Sequence, residues 1–205
     1  MASREEAPQV NAGSMADIAF LLLIFFLVTT TIETDAGLDR MLPKLEKEPP
    51  PVPPIPQKNI LPISINAKGE LLLGDELITL KELRSLTKAF LDNGGAAKGD
   101  ARYCDYCQGE RNPKSSDSPA EAVVSLMSNR ETTYGVYIAV QNELVAAYNE
   151  LRNREAQRLY KTDFTLMEAV YLMSETPKST REELKGKIKH IQDLFPMKLS
   201  EAQRN

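Results

Sequence analysis

An uninterrupted apolar run from Ile18 to Val28 is the strongest pattern near the start of the chain. Asp17 comes directly before it and is the only ionisable residue between Glu6 and Glu33. Strongly apolar side chains favour insertion into a bilayer by roughly 0.3 to 0.6 kcal/mol each, and a central Asp opposes it by about 3 kcal/mol. The pattern therefore predicts a transmembrane helix over residues 11–32 that tolerates one carboxylate.

A cleaved signal peptide is the competing interpretation, because eleven apolar residues close to the N-terminus also have the length of a signal h-region. The first fourteen residues contain one Arg and two Glu, and no small-x-small cleavage site follows Val28, so we expect an uncleaved anchor. Arg4 and the amino terminus are the positive groups before the run. By the positive-inside rule, residues 1–10 form a short cytoplasmic tail and the C-terminal domain lies outside.

A charged and Pro-rich linker is predicted over residues 33–59. Six of the eight residues from Pro49 to Pro56 are proline, which excludes a helix or an inner strand and favours a polyproline II spacer. At about 3.1 Å per residue, the stretch from Pro43 to Pro62 spans up to ~60 Å. A passive stiff linker is the simpler interpretation, and a ligand for a proline-recognising domain is the alternative.

The patterns from residue 60 onward predict one small α+β domain, residues 60–205. Leu61 to Ile65 and Leu71 to Leu73 are predicted to form a hairpin around a turn at residues 66–69. An amphipathic helix follows and is stopped by Asn93-Gly94-Gly95. Its apolar face consists of Leu80, Leu83, Leu86, Thr87, Phe90 and Leu91. A polar insertion then occupies about residues 93–130.

The rest of the domain is predicted to be mostly helical. Residues 120–128 are assigned to a short helix, and the alternation from Tyr134 to Val140 predicts a strand. Three helices follow: Asn142 is expected to cap the first, and a capping box from Ser179 to Glu182 opens the third. Their buried stripes are Leu144, Tyr148, Leu151 and Leu159, then Phe164, Met167, Val170 and Tyr171, then Leu184, Ile188, Ile191 and Phe195. After Pro196, Met197 and Leu199 alternate as a last strand, so we expect a mixed sheet with helices on one face.

The composition excludes several classes of function. Twenty-nine acidic residues against 25 basic ones, with no Lys/Arg cluster, give no electrostatic footprint for nucleic acid. His190 is the sole histidine and is expected on the surface, and only two cysteines occur. The chain therefore has too few candidate residues for Ser-His catalysis or a multi-histidine metal site. We expect a protein partner and no enzyme activity, cofactor or metal.

Residues 11–28, NAGSMADIAFLLLIFFLV, resemble the membrane anchor of the ExbD/TolR biopolymer-transport family. The resemblance extends to the hairpin from Leu61 to Thr79 and to residues 137–140 with the helix after them. Residues 142–151 and 195–202 are similar to the Bacteroidetes branch in particular. Two features depart from the proteobacterial pattern: Ser14-Met15-Ala16 stands where a proline-containing stretch is usual, and the insertion at 93–130 is additional.

The resemblance implies a single-pass protein of the bacterial inner membrane with a periplasmic α+β domain, in which Asp17 matches the family's essential Asp. It implies that two copies of the helix sit inside a pentamer of an ExbB-like subunit. Protons pass by way of the Asp, although a single carboxylate is also compatible with Na⁺, and the resulting motion reaches a TonB-like transducer that energises outer-membrane transport. A TolR-like subunit for envelope integrity or peptidoglycan tethering is the alternative function. A flagellar-type stator would need a larger C-terminal domain than this chain provides.

The helical neighbours of Asp17 show why a partner is required. On its face lie Ser14, Leu21, Ile24 and Val28, so the polar stripe ends one turn after the carboxylate. Beyond Leu21 no side chain can pass a proton, and a partner helix must supply the other wall of an ion path. Ser14 is a candidate neighbour on that path, although Ser is also common at helix starts.

Cys104-x-x-Cys107 lies inside the polar insertion and invites a zinc or redox interpretation. Structural zinc needs four ligands and no second pair is present. A catalytic redox pair would normally open a helix. In the oxidising periplasm that the resemblance implies, a local disulfide is expected, with free thiols as the alternative.

Overall fold

The computed structural model describes residues 12–29 and 55–204 of the 205. These residues belong to two compact units, helix α1 (Ala12–Thr29) in one and a folded domain in the other. Within the described ranges, no helix has the combination of length and apolar character that would identify it as a membrane span. The predicted tail 1–10 and the linker before Ile55 lie outside the described residues.

The domain contains five strands and four α-helices among its described residues. In chain order its elements are a short 3-10 helix at Gln57–Asn59, β1 Ile60–Ile65, β2 Leu71–Leu73, β3 Glu76–Ile78, α2 Leu80–Leu91, β4 Val123–Asn129, α3 Tyr134–Tyr160, α4 Phe164–Leu172, α5 Lys178–Leu194 and β5 Leu199–Arg204. Asn59 is buried, so the fold begins just before the predicted boundary at residue 60.

The strands form a single mixed sheet in the order β3-β2-β1-β4-β5. β1, β2 and β3 are antiparallel neighbours, whereas β4 runs parallel to both β1 and β5. A parallel pair requires a crossover connection, and the helices provide it. The predicted α+β class with a mixed sheet is therefore confirmed.

One face of the sheet carries the main core. Leu61 and Ile63 of β1 lie beside Val124 and Leu126 of β4 in register, and all four are buried. Pro62, which points the other way, is exposed. The covering side chains come from α2 and α3, namely Leu83, Phe90, Leu91, Val140, Leu144, Tyr148 and Leu151. A second, smaller cluster joins the end of α3 to α4 and α5, formed by Ala156, Phe164, Met167, Ile188 and Ile191.

Helix α2 coincides with the predicted apolar face from Leu80 to Leu91, and local signals mark both of its ends. At its start the Thr79 hydroxyl accepts from the backbone N–H of Glu82, and the Glu82 carboxylate accepts from the backbone N–H of Thr79 at 2.8 Å, which makes a capping box. The backbone hydrogen bond from Thr79 lowers the pKa of Glu82. Of the predicted apolar face, Leu80 is partly buried, Leu86 is exposed, and the other four residues are buried.

Two predictions of secondary structure are wrong: a predicted strand is part of a helix, and a predicted helix is mostly a strand. The segment Tyr134–Val140, predicted as a strand, forms the first two turns of α3, and residues 123–129, assigned mainly to a short helix, form β4. The alternation in Tyr134–Val140 was a local coincidence, because the buried positions continue at helical spacing through Val140, Leu144 and Tyr148. In β4 only Val124 and Leu126 are buried, and the polar Ser125 lies between them.

Two predicted helix starts are also wrong. Asn142 lies inside α3, whose N-cap residue is Thr133. Helix α5 begins at Lys178 after Pro177, so Ser179 is not its cap. Leu159, predicted to be buried, is exposed near the end of α3. Since β4 takes up residues 123–129, the polar insertion spans residues 93–122, and this range is called the insertion below.

Candidate functional site

Asp17 lies in the second turn of α1 and is exposed. The next residues on its helical face, Leu21 and Ile24, are apolar and also exposed. Ser14 lies one turn before Asp17 within the same helix. The geometry therefore gives the carboxylate a place at one end of an apolar helix, with no polar side chain after it among residues 18–26.

Every large apolar side chain described in α1 is exposed, on all sides of the helix. They are Met15, Ile18, Phe20, Leu21, Leu22, Leu23, Ile24, Phe25 and Phe26. A helix that is apolar all round is stable only when lipid or protein covers it. Helix α1 therefore requires a covering environment, and Asp17 must be accommodated within it.

In the folded domain, the insertion is held by a dense set of polar contacts. Cys104 and Cys107 are joined by a disulfide. The Arg111 guanidinium donates to the backbone carbonyl oxygens of both cysteines, at 3.1 and 2.9 Å. Gly94, at φ +63°, lies so close that a Cβ there would stand 2.7 Å from the Cβ of Cys107. The Cys-x-x-Cys loop is thus packed directly against the residues that follow α2.

Asp92, which ends α2, fastens the insertion to α3. The Arg154 guanidinium donates to both carboxylate oxygens of Asp92, at 2.5 and 2.8 Å, and this hydrogen bonding raises the pKa of Arg154. Arg154 also donates to the buried Glu155 at 3.1 Å. The backbone N–H of Gln108 donates to the Asp92 carboxylate, and that of Gly109 donates to the Asp92 carbonyl.

A second anchor ties the end of the insertion to the start of the domain. The buried Asp117 carboxylate accepts from Lys58 at 2.6 Å and from Arg102 at 2.9 Å. Asn59 donates to the same carboxylate and accepts from the backbone N–H of Asp117 at 2.8 Å. Arg102 also binds Asp100, whose pKa it holds well below the usual range. These contacts make the insertion part of the fold.

The described part of the domain contains no arrangement typical of catalysis. A groove of about 310 Å³ between β3 and the start of α3 is lined mostly by apolar groups, and Glu70 is its one titratable residue. The described residues include no group of His, Cys, Asp and Glu placed to hold a metal ion. His190 is exposed and its Nδ1 lies 2.7 Å from the Tyr160 hydroxyl.

The described residues thus combine an apolar helix that bears one carboxylate with a small α+β domain. The family model for the biopolymer transport protein ExbD/TolR matches residues 3–154, which are 152 of the 205. The chain belongs to the ExbD/TolR family. A search of the curated proteins found no match. Membership supports a subunit that energises biopolymer transport or a TolR-like subunit, working with ExbB-like partners.

Proposed function

We propose that the protein harvests an ion-motive force in an ExbB-ExbD-type inner-membrane motor that energises TonB-dependent transport, with Asp17 as the ion carrier. The observation that carries the proposal is the placement of Asp17 as the only charged group on a helix that is otherwise apolar on every described side. Family membership supports the same function. The inserted segment is 11–32, of which α1 is the described part.

The energetics favour an ion path formed with a partner. One elementary charge gains about 2.3 kcal/mol for each 100 mV of membrane potential. Burial of a carboxyl group raises its pKa and contact with water lowers it, so alternation between two environments would load and release a proton. Because Leu21 and Ile24 follow Asp17 on its face, an ExbB-like pentamer must provide the remaining wall. Ser14 is proposed as a neighbour of the carboxylate on this path.

The remaining assignments follow from this function. The chain would assemble as two copies within the ExbB-like ring, with residues 1–10 in the cytoplasm. The domain would lie in the periplasm, and the linker would let it reach a TonB-like transducer. The exposed backbone of an outer strand and the apolar groove beside β3 are features that suit protein contacts rather than catalysis.

Replacing Asp17 by Asn keeps the size of the side chain and removes its titration. We expect receptor-dependent uptake to be lost while the variant still co-purifies with the ExbB-like subunit, and the Asp17→Glu variant to retain part of the activity. Uptake by an assembled Asp17→Asn complex at the normal rate would refute the carrier role.

The TolR-like alternative is equally compatible with the family model, whose description covers both types. Deleting residues 60–205 separates the two functions. Loss of envelope integrity with unchanged uptake would support the tether, whereas loss of uptake with an intact envelope supports the motor subunit.

A further inference from the structure

Tyr106 lies between the two cysteines, and its side chain points inward. It contacts residues near the C-terminal end of the domain. Its hydroxyl donates to the backbone carbonyl of Leu194 at 2.7 Å, across 88 positions of sequence. Its ring packs edge-to-face on Phe195, with centroids 5.5 Å apart. The Cys-x-x-Cys loop therefore contacts the last residues of α5.

The end of α5 positions the last strand. Besides Tyr106, Arg152 contacts this end, donating to the Phe195 carbonyl at 3.1 and 2.8 Å. Three residues later, the Lys198 carbonyl accepts from the backbone N–H of Val124 at 2.9 Å, and β5 begins at the next residue. β5 is an outer strand of the sheet and pairs only with β4. Its position is set by these contacts at the end of α5 together with its pairing to β4, the Arg154 guanidinium over the Phe195 ring and the hydrogen bond that Gln141 donates to Glu201.

We propose that Cys104 and Cys107 form a redox modification site whose reduction by a dithiol releases Tyr106 from the end of α5 and loosens β5. One thiolate of the reductant attacks a cysteine sulfur, and the other cysteine sulfur leaves as a thiolate and takes a proton. The second thiol of the reductant then closes its own disulfide and frees the first cysteine. Two electrons and two protons pass to the protein, and the dithiol is oxidised.

The loop geometry links reduction of the disulfide to release of Tyr106, so that each of these changes favours the other. Cys104 and Cys107 are only 3% and 4% exposed, so a reductant reaches the sulfur atoms after the loop has opened. Opening requires Tyr106 to leave Leu194 and Phe195. In the oxidised state the disulfide restricts the chain between the cysteines, and closure of a loop of about four residues limits its open forms by about 20-fold. In the oxidised state Arg111 donates to the carbonyl oxygens of both cysteines.

Hydrogen exchange of the full chain in detergent tests the proposal, with dithiothreitol as the dithiol. We expect exchange at residues 199–204 to rise by up to about 20-fold once mass spectrometry shows two free thiols. Exchange in β1 should stay within two-fold. The Cys104→Ala/Cys107→Ala variant should show the fast exchange without reductant and no response to it.

Variants of Tyr106 distinguish the proposed coupling between the disulfide and β5 from a general loss of stability. Tyr106→Ala should give fast exchange in β5 before reduction, gain nothing from dithiothreitol, and be reduced faster than the unaltered protein. Tyr106→Phe keeps the ring on Phe195 and should still respond to reduction. If the double cysteine variant does not fold, exchange in β5 of the unaltered protein, measured before reduction, after reduction and after reoxidation, tests the proposal instead. Unchanged exchange in β5 with both thiols free would overturn the proposal, and it would leave the role of Asp17 untouched.

Discussion

Replacing Asp92 by Asn should lower the free energy of unfolding of the domain by about 2 kcal/mol. The Arg154 guanidinium contacts both carboxylate oxygens, and the two side chains are 10% and 26% exposed. Two unit charges about 4 Å apart attract by about 4 kcal/mol at an effective dielectric constant of 20, and partial solvation reduces this. Exposed pairs contribute up to about 1 kcal/mol, and breaking a buried pair costs about 3 to 5 kcal/mol, so this pair falls between them.

Asparagine isolates the contribution of the charge. It keeps an oxygen that can accept from the backbone N–H of Gln108, and the backbone bond from Gly109 to residue 92 is unchanged. Arg154→Met removes an additional contact, the one to Glu155, so the single variants are not equivalent. A double-mutant cycle of Asp92→Asn with Arg154→Met cancels that difference and should give a coupling energy of about 2 kcal/mol.

The assay is urea unfolding of residues 41–205 followed by far-UV circular dichroism. The matched control is the pair formed by Arg84 and Glu150 on the surface between α2 and α3, whose side chains are 40% and 42% exposed. We expect a clearly smaller coupling energy for that pair, because solvent screens it. If the Asp92 pair gave a coupling no larger than the control, the insertion would not be held by this ion pair and the argument would be wrong.

Two further changes test the core and its pH dependence by the same unfolding assay. Leu126, in the centre of the sheet, is 1% exposed, and Leu126→Ala should lower the free energy of unfolding by about 3 kcal/mol. Leu77 is 64% exposed, and Leu77→Ala should lower it by less than about 0.5 kcal/mol. Equal effects of the two variants would place the core elsewhere. Burial raises the pKa of Tyr148 from 10.0 to about 12, so the stability conferred by its neutral form is complete below pH 10 and is lost as the pH rises toward 12. The loss due to Tyr148 should reach about 3 kcal/mol. Tyr148→Phe should remove this part and leave the part due to Tyr106, whose pKa burial also raises to about 12. A Tyr148→Phe variant with the same loss as the unaltered protein would contradict the assignment.

The parts of the fold that could be predicted are those with complete local signals. Helix α2 has an apolar stripe at helical spacing and a glycine-containing stop, and the observed helix spans that stripe and ends before the stop. The segment Tyr134–Val140 satisfied a strand pattern within seven residues, and only the continuation of the stripe to Tyr148 shows that it is helical. A short window cannot decide between the two periods when its residues are apolar on both faces.

At the candidate site, too, a residue with a local signal could be predicted, whereas contacts between residues distant in sequence could not. Asp17 could be selected from the sequence because a single acid beside an apolar run is a local pattern. The contact of Arg154 with Asp92 spans 62 positions, and that of Tyr106 with Leu194 spans 88. Nothing in the neighbouring residues signals either pairing, since a polar insertion rich in Gly, Ser and Asp has the composition of a solvated loop. Its order becomes visible only when the partners from α3 and α5 are in place.

The outer edge of the sheet depends on residues beyond those that the family model matches. The match ends at residue 154, inside α3, whereas the fifth strand begins at Leu199. Because β5 runs parallel to β4, the chain must cross back over the domain before it can pair, and α4 and α5 make that crossing. The crossing ends where Arg152 and Tyr106 hold the last residues of α5. Of these two, Tyr106 belongs to the insertion, which lies within the matched residues, so matched and unmatched parts of the chain stabilise the same edge. A partner that approaches this edge therefore meets contacts made by both parts, while the helix with Asp17 lies within the matched residues.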